Sequence, residues 1–234
     1  LVGSEMCIRD SCTCLPAYAQ GIRDPEIGGS ICSPSTITVM LNARNRQLDL
    51  LPEELALSVQ DFKYGFGNWA FCTSAAGLYG YEAYVQYGNK DILLQELANG
   101  RSVGLSVSYY TDPSSSKYLE GAYGGTAGHL ITIIGYEYEG NVKDDDHLYF
   151  ISSDTYSKDD ATSFHRYKWT QLKNCWTNGV MYMVSSAPEA DAPVTGVQRF
   201  DAALEPTGEE NVYTLKAGAV SYTHLRAHET SQDL

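Results

Sequence analysis

Basic side chains are scarce in this chain: 16 Lys and Arg stand against 29 Asp and Glu, a formal charge of −13. Phosphate binding needs clustered Lys and Arg, so nucleic acid is excluded as a partner. Long apolar runs are missing too. No stretch approaches the ~18 residues of a membrane span, so this chain holds no span. Histidine is limited to five residues, which leaves a short list for any imidazole chemistry. Six cysteines are present, but Cys12-Thr13-Cys14 has no second pair or histidine cluster to complete a zinc site. No cofactor is expected.

What the chain does have is enough apolar content, 43% of 234 residues, to bury one sizeable core. Eighteen tyrosines suit either an aromatic groove for peptides or glycans or a tyrosine-rich core. The most informative residue is Cys32, in Gly28-Gly29-Ser30-Ile31-Cys32-Ser33-Pro34. Pro34 reads as the first helical residue and Ser33 as its cap, because Pro needs no amide donor there. Ile37, Met40, Leu41 and Leu48 follow at helical spacing, which gives the helix a buried face. A thiol just ahead of a helix feels the positive end of the macrodipole, which favours the reactive thiolate. Gly28 and Gly29 let the backbone approach closely, as a substrate pocket would require. A lone cysteine reads first as a small buried hydrophobe. This one has partners.

A cysteine nucleophile needs a base, and the base needs an orienting group. His224 and His228 lie in a discounted C-terminal tail, and His147 follows Asp144-Asp145-Asp146 in a charged loop. His165 alternates with bulky residues, as on the exposed face of a strand. His129 differs: Gly124-Gly125-Thr126-Ala127-Gly128 delivers it to the mouth of the apolar strand that continues through Leu130 and Ile131. The next apolar strand runs from Leu148 to Ser153 and ends at Asp154. If the two are antiparallel neighbours, His129 and Asp154 share one sheet edge, and the carboxylate can fix the imidazole tautomer. Taken alone, Asp154 reads equally as a turn former. Gln20 supplies a fourth part. Its side-chain amide and the backbone N–H of Cys32 can serve as two donors to an oxyanion.

These four residues resemble the C39-like branch of the papain-like cysteine peptidases. The resemblance rests on Tyr18-Ala19-Gln20, Ile31-Cys32-Ser33-Pro34-Ser35-Thr36, Gly128-His129 and Ser153-Asp154, in that order. Gly67-Asn68-Trp69, the Gly80–Val85 segment, the run Arg166 to Leu172 and Trp176 also fit, so the likeness spans roughly residues 14–187. Three positions depart from the family pattern. Ile31 replaces a tryptophan, Ser153 an asparagine, and Tyr156 a small residue. The gap from Cys32 to His129 is longer than in transglutaminase-like or NlpC/P60-like enzymes, and the latter tend to orient with a second histidine. The resemblance implies a peptidase acting on peptide or protein substrates: Cys32 attacks, His129 shuttles the proton, Asp154 orients it and Gln20 stabilises the oxyanion. A cell-wall peptide amidase and a non-catalytic peptide-binding domain are the alternatives. With the acidic, Tyr-rich composition, the family suggests a secreted or cell-surface protein of a Gram-positive bacterium.

The patterning predicts helices at 34–48, 52–63, 69–79, 90–98 and 169–175. Strands are predicted at 81–87, 102–109, 129–138, 147–153, 163–167 and 180–184. Helices first and an antiparallel sheet later make an α+β, papain-like fold with N-terminal helices packed on the sheet. The peptidase-like domain is expected over 12–187, with a linker or the start of a further domain at 188–219. The extremes, 1–11 and 220–234, resemble translated sequencing-adaptor read-through and are set aside. Cys72 and Cys175 read as buried thiols or as a disulfide.

Overall fold

A computed structural model describes residues 17–185 and two short strands, 204–206 and 213–215. Cys12, Cys14, His224, His228, the start of the 188–219 segment and both extremes lie outside the described residues. The helices are α1 (Cys32–Arg44), α2 (Pro52–Val59), α3 (Trp69–Ser74), α4 (Lys90–Ala98) and α5 (Trp169–Cys175). The strands are β1 (Ala83–Tyr87), β2 (Val103–Tyr109), β3 (Thr126–Tyr138), β4 (Leu148–Ser153), β5 (Phe164–Lys168) and β6 (Trp176–Val184). All six join one antiparallel sheet in the order β1-β6-β2-β3-β4-β5. Beyond them, β7 (Leu204–Pro206) pairs with β8 (Tyr213–Leu215). No described helix is long and apolar enough to cross a membrane.

The sheet carries a core on each face, where the composition pointed to one. Along β6, Met181 and Met183 pack with α4 and α5, while Tyr182 and Val184 pack with α1, α2 and α3. That is the period-two alternation of a strand covered on both sides. β2 is buried along its whole length. Its Leu105, Val107 and Tyr109 join the first cluster, and Gly104 turns toward α1. A Cβ at Gly104 would stand 2.8 Å from the Thr36 methyl and 2.8 Å from Tyr182 Cβ. Glycine there lets the helix lie close on the sheet.

Helix α1 is buried from Ser33 to Asn42, on all sides rather than one. The sheet lies beneath it and α2 and α3 cover it, so its small Ser and Thr side chains are interior. It begins at Cys32, two residues before the predicted start, because a 3-10 turn over Gly28–Ser30 leads straight into it. Ser33 is therefore inside the helix rather than its cap, and its hydroxyl bonds the Tyr182 phenol at 2.6 Å. Pro34 still falls in the first turn, where no amide is demanded.

Three predicted helices end early: α3 tightens after Ser74 into a 3-10 turn over Ala75–Tyr79, and the other two stop at a side chain that captures backbone amides. Asn45 accepts from Gln47 N at 3.0 Å and caps a separate 3-10 turn, Arg46–Leu48. Asp61 accepts from Lys63 N and Tyr64 N, both at 2.7 Å, and closes a loop to Gly65, so α2 stops at Val59. Asn68 of the Gly-Asn-Trp motif caps α3 through Phe71 N at 3.3 Å. The 90–98 and 169–175 helices have the predicted bounds.

Candidate active site

The site begins at the N-terminus of α1. Cys32 is its first residue and half-buried, and its sulfur faces the backbone N–H groups of Ser33 and Leu130 and the ring of His129. Burial pushes the thiol up, but the hydrogen bond and charge of His129 and the two amides outweigh it. The net direction is down. Ile31, where the family places tryptophan, is fully buried against Ala56 and Phe66.

His129 lies inside β3 rather than at its mouth, because the strand already begins at Thr126. Its Cα pairs with that of Val107 on β2, beside a register shift. The ring is 4% exposed and stands edge-on to Tyr109 and Tyr156, at centroid distances of 6.2 and 6.0 Å. Nε2 is 2.8 Å from Asp154 Oδ1, which leaves Nδ1 as the nitrogen for the thiol. Burial alone would lower the imidazole. The Asp154 carboxylate, joined by Cys32, reverses that and lifts it to about 10.

Asp154 follows the last residue of β4 and is fully buried. Such a carboxylate stays charged only if its lone pairs are used. Oδ1 accepts from His129 Nε2 and from Tyr156 N at 2.9 Å, and Oδ2 from the phenols of Tyr109 and Tyr167, both at 2.8 Å. Burial pushes the carboxyl up. The His129 charge and bond, helped by His165 and Tyr109, hold it below the usual carboxylate range. The two phenols are pushed up by burial and by Asp154, so they remain donors.

Gln20 is 6% exposed and tied to the residue after Asp154. Its backbone N–H donates to Thr155 O at 2.8 Å, and its Oε1 accepts from Thr155 Oγ1 at 2.8 Å. The amide nitrogen is the end left to donate. Of the two glycines before Cys32, only Gly28 meets a close neighbour: a Cβ there would stand 2.5 Å from Gln20 O, whereas Gly29 has nothing within 4 Å. The close approach at Gly28 is thus to the chain's own Gln20 turn.

Cys72 and Cys175 are free, buried thiols, pushed by burial to about 12 and about 11. His147 bonds Asp144 Oδ1 at 2.7 Å within its charged loop. His165 departs from expectation. It is half-buried and bonded at both ring nitrogens. Tyr109, Tyr167 and Thr155 were absent from the sequence-derived set. Only the first hints at itself, as an aromatic on the strand paired with the one carrying His129.

A family model described as "Peptidase_C39 like family" matches residues 15–182. No curated protein matches. Among solved structures, a double-glycine motif protease from an AMS/PCAT transporter, in complex with the leader peptide, is 12% identical with a TM-score of 0.40. It aligns over 65% of this chain and 82% of that one. A C39-like peptidase from Bacillus anthracis is 13% identical with a TM-score of 0.45, over 67% and 90%. The clostridial cysteine protease Cwp84 after propeptide cleavage is 12% identical with a TM-score of 0.50, over 75% and 56%. At such identities the likeness is one of fold. The family match covers most of the chain and takes in α1, the strand bearing His129 and the turn at Asp154, so the chain belongs to the Peptidase_C39-like family.

Proposed function

We propose that this protein is a cysteine peptidase that hydrolyses peptide bonds in a peptide or protein substrate, with Cys32, His129, Asp154 and Gln20 as its working groups. One observation carries the reading: Cys32, the first residue of α1, meets the ring of His129, whose Nε2 is held 2.8 Å from the buried Asp154 carboxylate, an arrangement that favours thiolate and imidazolium together. A thiolate–imidazolium pair is the resting state of a thiol hydrolase at neutral pH. Sγ of Cys32 attacks the scissile carbonyl carbon, forming a C–S bond and placing the electron pair on oxygen. That oxyanion takes hydrogen bonds from the Gln20 amide and the Cys32 N–H, which as the first helical amide has no partner within the helix. His129 gives its proton to the leaving nitrogen as the C–N bond breaks and a thioester forms. Neutral His129 then takes a proton from water, the hydroxide displaces Sγ, and the acid product leaves. Asp154 keeps the ring oriented and its charge balanced throughout.

The test is iodoacetamide labelling at pH 6 with peptide mapping. Cys32 should label rapidly while Cys72 and Cys175 stay unmodified, and Cys32→Ala should abolish both the label and hydrolysis of a peptide library. Labelling of Cys32 no faster than an ordinary thiol, or equal hydrolysis by wild type and Cys32→Ala, would overturn the proposal.

A further inference from the structure

Two tyrosine rings flank the imidazole of His129, and they differ in depth. Tyr109 is fully buried, at a centroid distance of 6.2 Å. Tyr156 is half-buried, at 6.0 Å and 70°. Tyr156 in turn meets Tyr123 edge-on at 5.8 Å and 83°, and Tyr123 is 56% exposed. An aromatic wall thus runs from the imidazole outward to solvent. Its inner ring is fixed from two directions. A Cβ at Gly124 would stand 2.8 Å from Tyr156 Oη and 3.1 Å from its Cε1 and Cζ, so glycine lets the loop backbone lie on that phenol. The backbone N–H of Tyr156 donates to Asp154 Oδ1, so the turn that places Asp154 also places the ring. The loop that carries Tyr123 is anchored as well: buried Leu119 donates its N–H to Tyr110 O at 3.0 Å, and Gly121 O lies 2.8 Å from His165 Nδ1. The family pattern has a small residue at 156, which would leave no ring here.

We infer that Tyr156 and Tyr123 form the subsite for the substrate residue immediately after the scissile bond, and that they favour an aromatic or large apolar side chain there. The inference rests on the reading of Cys32, His129, Asp154 and Gln20 as the working groups. In that reading His129 hands its proton to the leaving nitrogen, which must come within about 2.6–3.2 Å of the imidazole. The Cα bearing that nitrogen is one bond further, so its side chain falls against whatever flanks the ring on its open side. Tyr109 is enclosed in the core and holds Asp154 Oδ2, which leaves Tyr156. Shielding of the His129–Asp154 pair from water would need Tyr156 alone, whereas Tyr123 sits beyond it with more than half its surface open. Edge-to-face contact is a favoured arrangement for aromatic rings, and a substrate ring extends the series. Tyrosine gives such a wall large contact area at low conformational-entropy cost.

The test on the intact chain uses phenylalanine amide and alanine amide, which stand for the product released on the leaving side. Each is added at pH 8.5, above the α-amino pKa of about 7.7–8.0, and the rate of Cys32 alkylation by iodoacetamide is followed. Phenylalanine amide should protect Cys32 at a concentration about tenfold below that needed for alanine amide, the lower end of what an apolar pocket discriminates. In Tyr123→Ala, which removes an exposed ring and leaves the core intact, and in Tyr156→Leu, the preference should be largely erased. Cuts in a peptide library should likewise precede aromatic or large apolar residues, with a loss of that selectivity in both variants. A purely structural role would change the alkylation rate of the free protein and leave the preference alone. Absence of protection in the wild type, equal protection by the two amides, or variants that keep the wild-type preference would overturn the inference. Failure of the catalytic reading looks different, because wild-type Cys32 would then react no faster than an ordinary thiol when neither amide is present.

Discussion

Replacing Tyr167 by phenylalanine removes one of the four hydrogen bonds that keep a fully buried carboxylate charged. The ring volume and the stack on His165 survive, so no cavity is made and the effect isolates one O–H donor. A hydrogen bond to a charged group contributes about 1.5–3 kcal/mol. Only its excess over the ~1 kcal/mol of a neutral bond discriminates the anion, so at 1.36 kcal/mol per unit the Asp154 pKa should rise by about 0.5–1.5. In the wild type this pKa is depressed in the fold. Its contribution to stability is therefore present above the unfolded carboxyl value of about 3.9 and is lost as pH falls through the lower folded value. The variant moves the folded value back toward the unfolded one. Tyr167→Phe should thus cost about 1.5–3 kcal/mol at pH 7, shrinking toward the ~1 kcal/mol of a neutral bond in acid. Urea unfolding of both proteins between pH 7 and pH 3, with m unchanged, measures it. Tyr109→Phe should behave alike, and the double variant should be non-additive because both phenols bond the same oxygen. A loss below about 0.5 kcal/mol at pH 7 would refute the view that Asp154 is held as an anion by its donors.

Three further outcomes are expected. His129, raised to about 10 in the fold from about 6.5 unfolded, contributes stability that is complete below the unfolded value and lost as pH climbs through the folded one. The depressed Cys32 thiol acts in the opposite sense up to its unfolded value of about 8.5, so the melting temperature should fall mainly between pH 8.5 and pH 10, and a flat profile there would count against the His129–Asp154 pair. Gln20→Ala should lower turnover by about 10²-fold. Thr155→Val should lower it less, because the backbone bond from Gln20 N to Thr155 O survives, and unchanged turnover would show that the hydroxyl does not orient the amide. Gly28→Ala drives a Cβ to 2.5 Å from Gln20 O and should cost about 1–3 kcal/mol as an overpacked site. Gly29→Ala, with nothing within 4 Å, should melt near wild type, and equal behaviour of the two would dissolve the packing argument.

The neighbourhood of Cys32, His129 and Asp154 is legible in the sequence because each stands at a landmark that local chemistry writes plainly: a proline-marked helix start, a glycine-rich approach to one apolar strand, and the acid that closes the next. Antiparallel pairing of β3 with β4 does the rest, setting Thr132 opposite Ser153 so that the following residue turns toward the imidazole. Element bounds fail where a short polar side chain diverts the backbone. Asp61 and Asn45 each sit in segments whose composition still reads as helix, and the amides they capture are invisible to periodicity. The groups behind Asp154 are hidden for a different reason. The Cα of Tyr167 pairs with that of Phe150, four residues from Asp154, and only the length of a phenol brings its hydroxyl back to the carboxylate. Alternation assigns His165 a strand face but cannot show that the Gly121 loop and the Ser157 turn both fold onto it. A pattern of residues can declare that a charge will be buried. Which distant donors keep it charged depends on how far side chains reach across strands, and that is settled only when the sheet is assembled.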